Sequence, residues 1–167
     1  MKRVPPSTMM QEAIGRQLNE GTMGSELALF AFTRAAVRLM LQVGLEQELT
    51  EVLGRAHYDL GGRGREGWRN GYEPLALKST LGELDLKMPQ VRETLEPFVS
   101  NLGPSLKTGK TEIQGLAAGL YTRRLSTRDI QDVFTDALGE RFLSKSPVSR
   151  SVEVLRSQFA SWRGNGT

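Results

Sequence analysis

The strongest constraint on the fold is a pair of apolar stripes near the C-terminus, separated by a glycine. The first stripe follows Ser126 and Asp129, a capping-box-like helix start, and it ends at Gly139, which tolerates positive φ. The second begins at Ser146 and Pro147, a favourable N-cap and first helical position. The apolar residues of the two stripes are Ile130, Val133, Phe134, Ala137 and Leu138, then Val148, Val152, Leu155, Phe159 and Trp162. The spacing predicts two short helices joined by a tight turn.

This pattern is typical of a helix-turn-helix, in which the start of the second helix meets base edges and phosphates of DNA. Arginine can donate two hydrogen bonds to guanine, whereas lysine and serine can bind phosphates or bases. The candidate DNA-binding residues of the second helix are Lys145, Ser146, Ser149 and Arg150, and Arg123, Arg124 and Arg128 lie just before or within the first helix. An ordinary helical hairpin with a solvated polar face explains the same pattern. In that case Arg123 and Arg124 complement a helix dipole.

Composition permits a nucleic-acid partner without requiring one. The 167 residues carry a net charge of +3 and contain no cysteine, which fits a reducing cytoplasm. The N-terminus has no uninterrupted apolar core of the kind found in signal peptides. The most apolar stretch, 27–43, contains Arg34 and Arg38 and is too short to span a bilayer comfortably. We therefore expect a cytoplasmic protein without a membrane partner.

Residues 1–53 are predicted to form an N-terminal arm and a helical segment. Residues 1–24, with Pro5 and Pro6, favour a loose arm or a weak helix, whereas 25–53 repeat apolar residues at helical intervals. Gly44 is a candidate kink or break. A core helix is the main interpretation of 25–53, and a helix that forms a homo-oligomer is the alternative.

Residues 54–71 are predicted to form a Gly/Arg-rich loop. Its segment 61–71 contains five glycines and three arginines, too many glycines for a regular helix. Arg63, Arg65 and Arg69 are candidate phosphate contacts, and Trp68 would stack on a base or pack on the domain. A basic linker without a DNA role is the alternative.

Residues 72–111 are predicted to form a β-hairpin followed by a connector. Apolar residues alternate with polar ones on both sides of a turn at Leu81–Gly82, and Pro89 is expected to end the second strand. A helix over 112–122 would complete a three-helix unit with the helix-turn-helix, giving a DNA-binding region at 112–163 and a tail at 164–167. The predicted fold is mainly α with a small antiparallel hairpin.

Few residues offer catalytic chemistry. Asp129, Asp132 and Asp136 share one predicted helix, where a solvated face explains them better than a metal cluster does. His57 has no cysteine or carboxylate pair near it in sequence, so it is expected to be a surface or packing residue.

Several motifs resemble the N-terminal region of bacterial Mutator-type transposases, which move insertion sequences. These motifs are Arg69-Asn-Gly-Tyr72, Leu77-Lys-Ser-Thr80, Gly82-Glu-Leu-Asp-Leu-Lys-Met-Pro89 with Val91-Arg92, Gly119-Leu-Tyr-Thr-Arg-Arg-Leu-Ser-Thr-Arg-Asp-Ile130 and Leu143-Ser-Lys-Ser-Pro-Val-Ser-Arg150. They occur in the family's order over about 46–160. Pro147 departs from the pattern, because related sequences often carry threonine there.

The resemblance implies recognition of the terminal inverted repeats of an insertion sequence, on double-stranded DNA. In the family, a ribonuclease-H-like domain follows, whose acidic triad holds two divalent metals. This sequence ends before that domain, so we expect a truncated, DNA-binding portion without catalysis. A metal such as Mg²⁺ is expected only for a full-length parent. The alternative function is a free-standing helix-turn-helix transcription regulator.

Overall fold

The structure is a computed structural model that describes residues 4–19, 26–55, 57, 67–79 and 81–104, together with 150, 153, 154 and 157. Two helices come first, α1 (Pro6–Asn19) and α2 (Glu26–Leu53). Two antiparallel strands follow, β1 (Trp68–Ser79) and β2 (Gly82–Arg92). Residues 102–104 and the four described residues after 149 also have helical backbone. Within these ranges the predicted order of N-terminal helices followed by a hairpin is confirmed.

Helix α2 is the centre of the core. Every residue from 39 to 45 is buried, so this part of the helix is covered on all sides. Its fully buried large side chains are Leu39, Met40, Leu41, Leu45 and Leu49. The helix runs without a break through Gly44, which is itself buried. The prediction of a core helix over 25–53 is thus confirmed, and the candidate break at Gly44 is wrong.

The hairpin places one apolar face against the core. Leu77 pairs with Leu84 and Leu75 with Leu86, and of these four only Leu75 retains intermediate exposure. The opposite face carries Pro74, Ala76 and Lys78 with Glu83 and Asp85, all of which are exposed. Ser79 pairs with Gly82, whose φ of 90° completes the short turn predicted at Leu81–Gly82. Period-two alternation therefore identified the buried face correctly.

The hairpin is longer than predicted at both ends. Strand β1 begins at Trp68, inside the segment expected to be a loop, and β2 continues past Pro89 to Arg92. The pairing is irregular between Arg69 and Tyr72, where Gly71 adopts a φ of 86° and forms a bulge. Pro89 lies opposite Tyr72 beside this bulge, a position where a strand tolerates proline because the regular ladder is interrupted. Pro89 therefore does not end the strand.

Helix α2 lies along the edge of β2 that does not pair with β1. Arg34 donates to the Glu83 carbonyl (2.5 Å) and Arg38 to the Asp85 carbonyl (2.6 Å). Gln42 binds both backbone groups of Lys87, at 2.9 Å to its carbonyl and 2.8 Å from its amide. The three side chains of α2 are four residues apart, a rise of about 6 Å along the helix, and their partners on β2 are two residues apart, a rise of about 6.7 Å along the strand. The two spacings match closely, so each side chain meets a backbone group of the strand. These side chains satisfy backbone groups that an edge strand would otherwise expose.

Helix α1 is attached to α2 through a carboxylate. Glu46 accepts a hydrogen bond from the Ser7 amide at 3.0 Å and another from the Ser7 hydroxyl at 2.5 Å. Pro6 and Ser7 are the first residues of α1, whose first turn contains no acid of its own. Glu46 therefore supplies the negative charge that stabilises a helix N-terminus, from a different helix.

A second carboxylate of α2 holds the segment that follows the hairpin. Glu48 accepts from the Ser100 hydroxyl at 2.5 Å and from the Leu102 amide at 2.9 Å. Ser100 also accepts from the Gly103 amide at 2.9 Å, which is the geometry of an N-cap on the helical residues 102–104. The connector predicted after the hairpin is thus fixed to the core at Ser100.

The predicted helix-turn-helix lies almost wholly outside the described residues, as do the helix predicted at 112–122 and the tail. Among the residues described, no helix has the length and hydropathy needed to cross a membrane.

Candidate nucleic-acid interface

Four residues of the predicted recognition helix are described, and all have helical backbone. Arg150, Glu153 and Ser157 are exposed, whereas Val154 is half-buried. The Ser157 hydroxyl donates to the Glu153 carbonyl at 3.0 Å, a bond that fits a helical turn. These three exposed residues are spaced by three and four, so they share one polar face of the helix, which includes the candidate Arg150. The other predicted contacts of this region, Lys145, Ser146, Ser149, Arg123, Arg124 and Arg128, lie outside the described residues.

Arg69 is held by the protein itself. Its Nη2 donates to the Thr50 hydroxyl and to the Arg55 carbonyl, both at 3.0 Å. The guanidinium lines a cavity of about 180 Å³ together with Leu49, His57, Gly71 and Tyr72. Burial lowers the pKa of Arg69, and nearby Arg55 lowers it further, while Tyr72 and Glu46 raise it. A partly desolvated cation interacts more strongly with an anion than one in water does.

Arg69 was predicted to contact phosphate, and that role stays a prediction. Its two other predicted partners in the Gly/Arg-rich segment, Arg63 and Arg65, lie outside the described residues. His57 is half-buried beside Arg69, as expected for a packing histidine.

Trp68 is 41% exposed, and the buried Arg55 packs against its ring. The Arg55 guanidinium carbon lies 4.8 Å from the ring centroid, within the range of a cation–π contact. Arg55 also donates to the Gly67 carbonyl, which fixes the start of β1. Trp68 thus packs on the domain through one side of its indole, and part of the side chain remains open to solvent.

A groove of about 590 Å³ opens between α1, α2 and the hairpin. Three basic residues line it, and each comes from a different element: Arg16, Arg38 and Lys87. These residues could not be recognised as a group from the sequence, because 22 and 49 positions separate neighbouring members. The one available signal was Arg38, a charge that interrupts the apolar stretch of α2.

The described residues contain no group of three or more His, Asp or Glu side chains that could hold a metal ion. Asp129, Asp132 and Asp136 lie outside those residues. Nothing in the described part of the chain therefore brings carboxylates together for metal-dependent chemistry.

The motifs of the hairpin and of the C-terminal region agree with a match to a protein family. The family model "Transposase, Mutator family" matches residues 10–165. The chain belongs to the Mutator family of transposases. The resemblance drawn from the sequence motifs is thereby confirmed, and this match covers both the described core and the predicted helix-turn-helix.

Two curated relatives are transposases of bacterial insertion sequences. The chain is 30% identical over 129 residues to the transposase for insertion sequence element IS406 of Burkholderia multivorans, covering 77% of this chain and 32% of that protein. It is 29% identical over 113 residues to the transposase for insertion sequence element ISRM5 of Rhizobium meliloti, covering 68% of this chain and 28% of that protein. The chain thus spans about a third of the length of the curated relatives it matches.

Proposed function

We propose that this chain is the DNA-binding portion of a Mutator-type transposase and that it recognises the terminal inverted repeats of an insertion sequence. Membership of the transposase family carries this proposal, because insertion-sequence transposition requires contact with the ends of the element. The exposed, helical position of Arg150 supports the choice of the predicted second helix as the recognition helix.

In this proposal, Lys145, Ser146, Ser149 and Arg150 enter the major groove of duplex DNA. Arg150 reads a base edge, while the lysine and serines bind phosphates or bases. Arg123, Arg124 and Arg128 add phosphate contacts near the first helix. Arg63, Arg65 and Arg69 add them from the Gly/Arg-rich segment. Metal-dependent strand transfer would belong to a longer protein and its acidic triad, and it would require a divalent ion such as Mg²⁺.

The direct test is fluorescence anisotropy with a duplex carrying the terminal inverted repeat and a scrambled duplex of equal length, over a salt series. Contacts to phosphates alone give weak binding that salt abolishes and that does not depend on sequence. We expect preference for the repeat, and Arg150→Ala should weaken that binding by about 1–3 kcal/mol.

Arg92→Ala is the matched control, because Arg92 is an exposed arginine of the hairpin outside the predicted recognition helix. Equal affinity for both duplexes, or equal effects of the two variants, would contradict end recognition by Arg150. Nicking of the repeat duplex by this chain with Mg²⁺ would contradict the assignment of catalysis to a longer protein.

A further inference from the structure

Three cations converge on the groove between α1, α2 and the hairpin from separate elements. Arg16 lies in the last turn of α1, Arg38 in α2 and Lys87 in β2. Glu12 is the one acid among the described residues that line the groove. Within the described part of the chain, none of the three cations forms an ion pair. Three cations against one carboxylate leave the groove with an excess of positive charge, which favours a bound anion.

Hydrogen bonds hold Arg38 and Lys87 while leaving most of their charged groups available for an anion. Arg38 reaches the Asp85 carbonyl through Nε, which fixes the orientation of its guanidinium. Gln42 binds both the amide and the carbonyl of Lys87, which fixes the backbone from which the flexible lysine side chain extends. A donor that is already oriented, as Arg38 is, loses less conformational entropy when an anion binds.

The wall of the same groove is apolar. Met9, Met10 and Ala13 of α1 line it together with Tyr72 of β1, and Met9 is 60% exposed. Methionine side chains adapt to flat partners, and an aromatic ring offers a surface on which a base can stack. The volume of about 590 Å³ lies in the range of sites that enclose small organic molecules.

We propose that this groove binds an unpaired DNA strand, with the phosphates on Arg16, Arg38 and Lys87 and a base against the methionines and Tyr72. A cationic groove with an aromatic surface is the usual arrangement for single-stranded nucleic acid. The bases of a duplex are stacked inside it and cannot reach an apolar wall, so a duplex would use only the cations. This inference rests on the proposed function in taking DNA as the partner, but it involves none of the residues of the predicted recognition helix.

The test measures binding of the full chain to a labelled oligothymidine of about 12 nucleotides, a length within the usual site sizes. The groove variant is the double substitution Arg16→Gln and Lys87→Gln. Each phosphate contact on a single strand contributes about 0.7 to the slope of log affinity against log salt. Loss of two contacts should therefore lower that slope by about 1.4 and weaken binding by about 25-fold at roughly 0.1 M salt.

The control variant is Lys78→Gln with Arg92→Gln, which removes the same charge from exposed hairpin positions outside the groove. It should change oligothymidine affinity by less than about threefold, because only non-contacting charge is lost. Neither variant removes a core side chain, and equal urea midpoints would show that both are folded. Equal weakening by the two variants would overturn the groove as a site. A groove variant that loses more affinity for duplex than for oligothymidine would identify a duplex contact and would overturn the unpaired strand.

The same experiment separates this inference from the proposed function. Repeat-specific duplex binding without oligothymidine binding would overturn the groove and leave end recognition standing. Groove-dependent oligothymidine binding without preference for the repeat would support the groove and would overturn end recognition. Absence of binding to either DNA would overturn both.

Discussion

Gln42 provides the sharpest test of how the hairpin is attached to α2. The side chain is fully buried, and it makes three hydrogen bonds: two with the backbone of Lys87, and one at 3.1 Å with Glu46. Gln42→Leu keeps a side chain of similar size but leaves the amide and the carbonyl of Lys87 without these partners. Each lost hydrogen bond lowers the free energy of unfolding by about 0.5–1.5 kcal/mol, and a buried polar group left without a partner lowers it by about 1–3 kcal/mol. We expect a loss of about 2–4 kcal/mol in the free energy of unfolding.

Gln47→Leu is the matched control on the same helix. Gln47 donates to Glu51 at 3.2 Å in an exposed pair one turn away, so its replacement should change stability by less than about 0.5 kcal/mol. Urea denaturation followed by circular dichroism measures both variants, provided that the slope of the transition is unchanged. In a domain of this size, the Gln42 variant should melt about 5–15 °C lower. If the two substitutions destabilised the protein equally, the edge contacts would contribute nothing measurable, and the reasoning would be refuted.

Two further predictions concern the attachment of α1 and the start of β1. Glu46→Ala should lower the free energy of unfolding by about 1–3 kcal/mol, because Ser7 loses both of its carboxylate contacts. Amide hydrogen exchange should increase more in α1 than in the hairpin. Uniform acceleration of exchange throughout the core would contradict a local attachment. In urea denaturation, Gly67→Ala should be more destabilising than Gly54→Ala by about 1 kcal/mol or more. Both residues have positive φ, but a Cβ at Gly67 would lie 2.6 Å from the Thr94 side chain, whereas a Cβ at Gly54 would meet nothing within 4 Å. Equal losses would mean that backbone strain alone decides both positions.

The elements that periodicity alone defines were predicted well. Helix α2 and the buried face of the hairpin follow from apolar spacing, and Leu77, Leu84 and Leu86 are buried as expected. The ends of the hairpin were wrong because they depend on tertiary context. Gly71 looked like part of a flexible loop, yet it forms a bulge, and the same irregularity lets Pro89 remain within a strand.

The attachments between elements could not be predicted from local patterns. Glu46 and Glu48 are two residues apart, so they point to different sides of α2, and they bind segments 39 and 54 positions away. On sequence alone, both are indistinguishable from solvated helix charges. The groove cations Arg16, Arg38 and Lys87 are likewise separated in sequence and meet only through the packing of α1 and the hairpin on α2.

The central place of α2 has a consequence for synthesis of the chain. Its fully buried segment, 39–45, is translated before β2, whose Lys87 is hydrogen-bonded to Gln42 of that segment. Until β2 has left the ribosome, α1 is the one described element already available to pack on this helix. Nascent chains that stop earlier would expose it, and such surfaces aggregate readily. The hairpin therefore completes the burial of α2 at a late stage of synthesis.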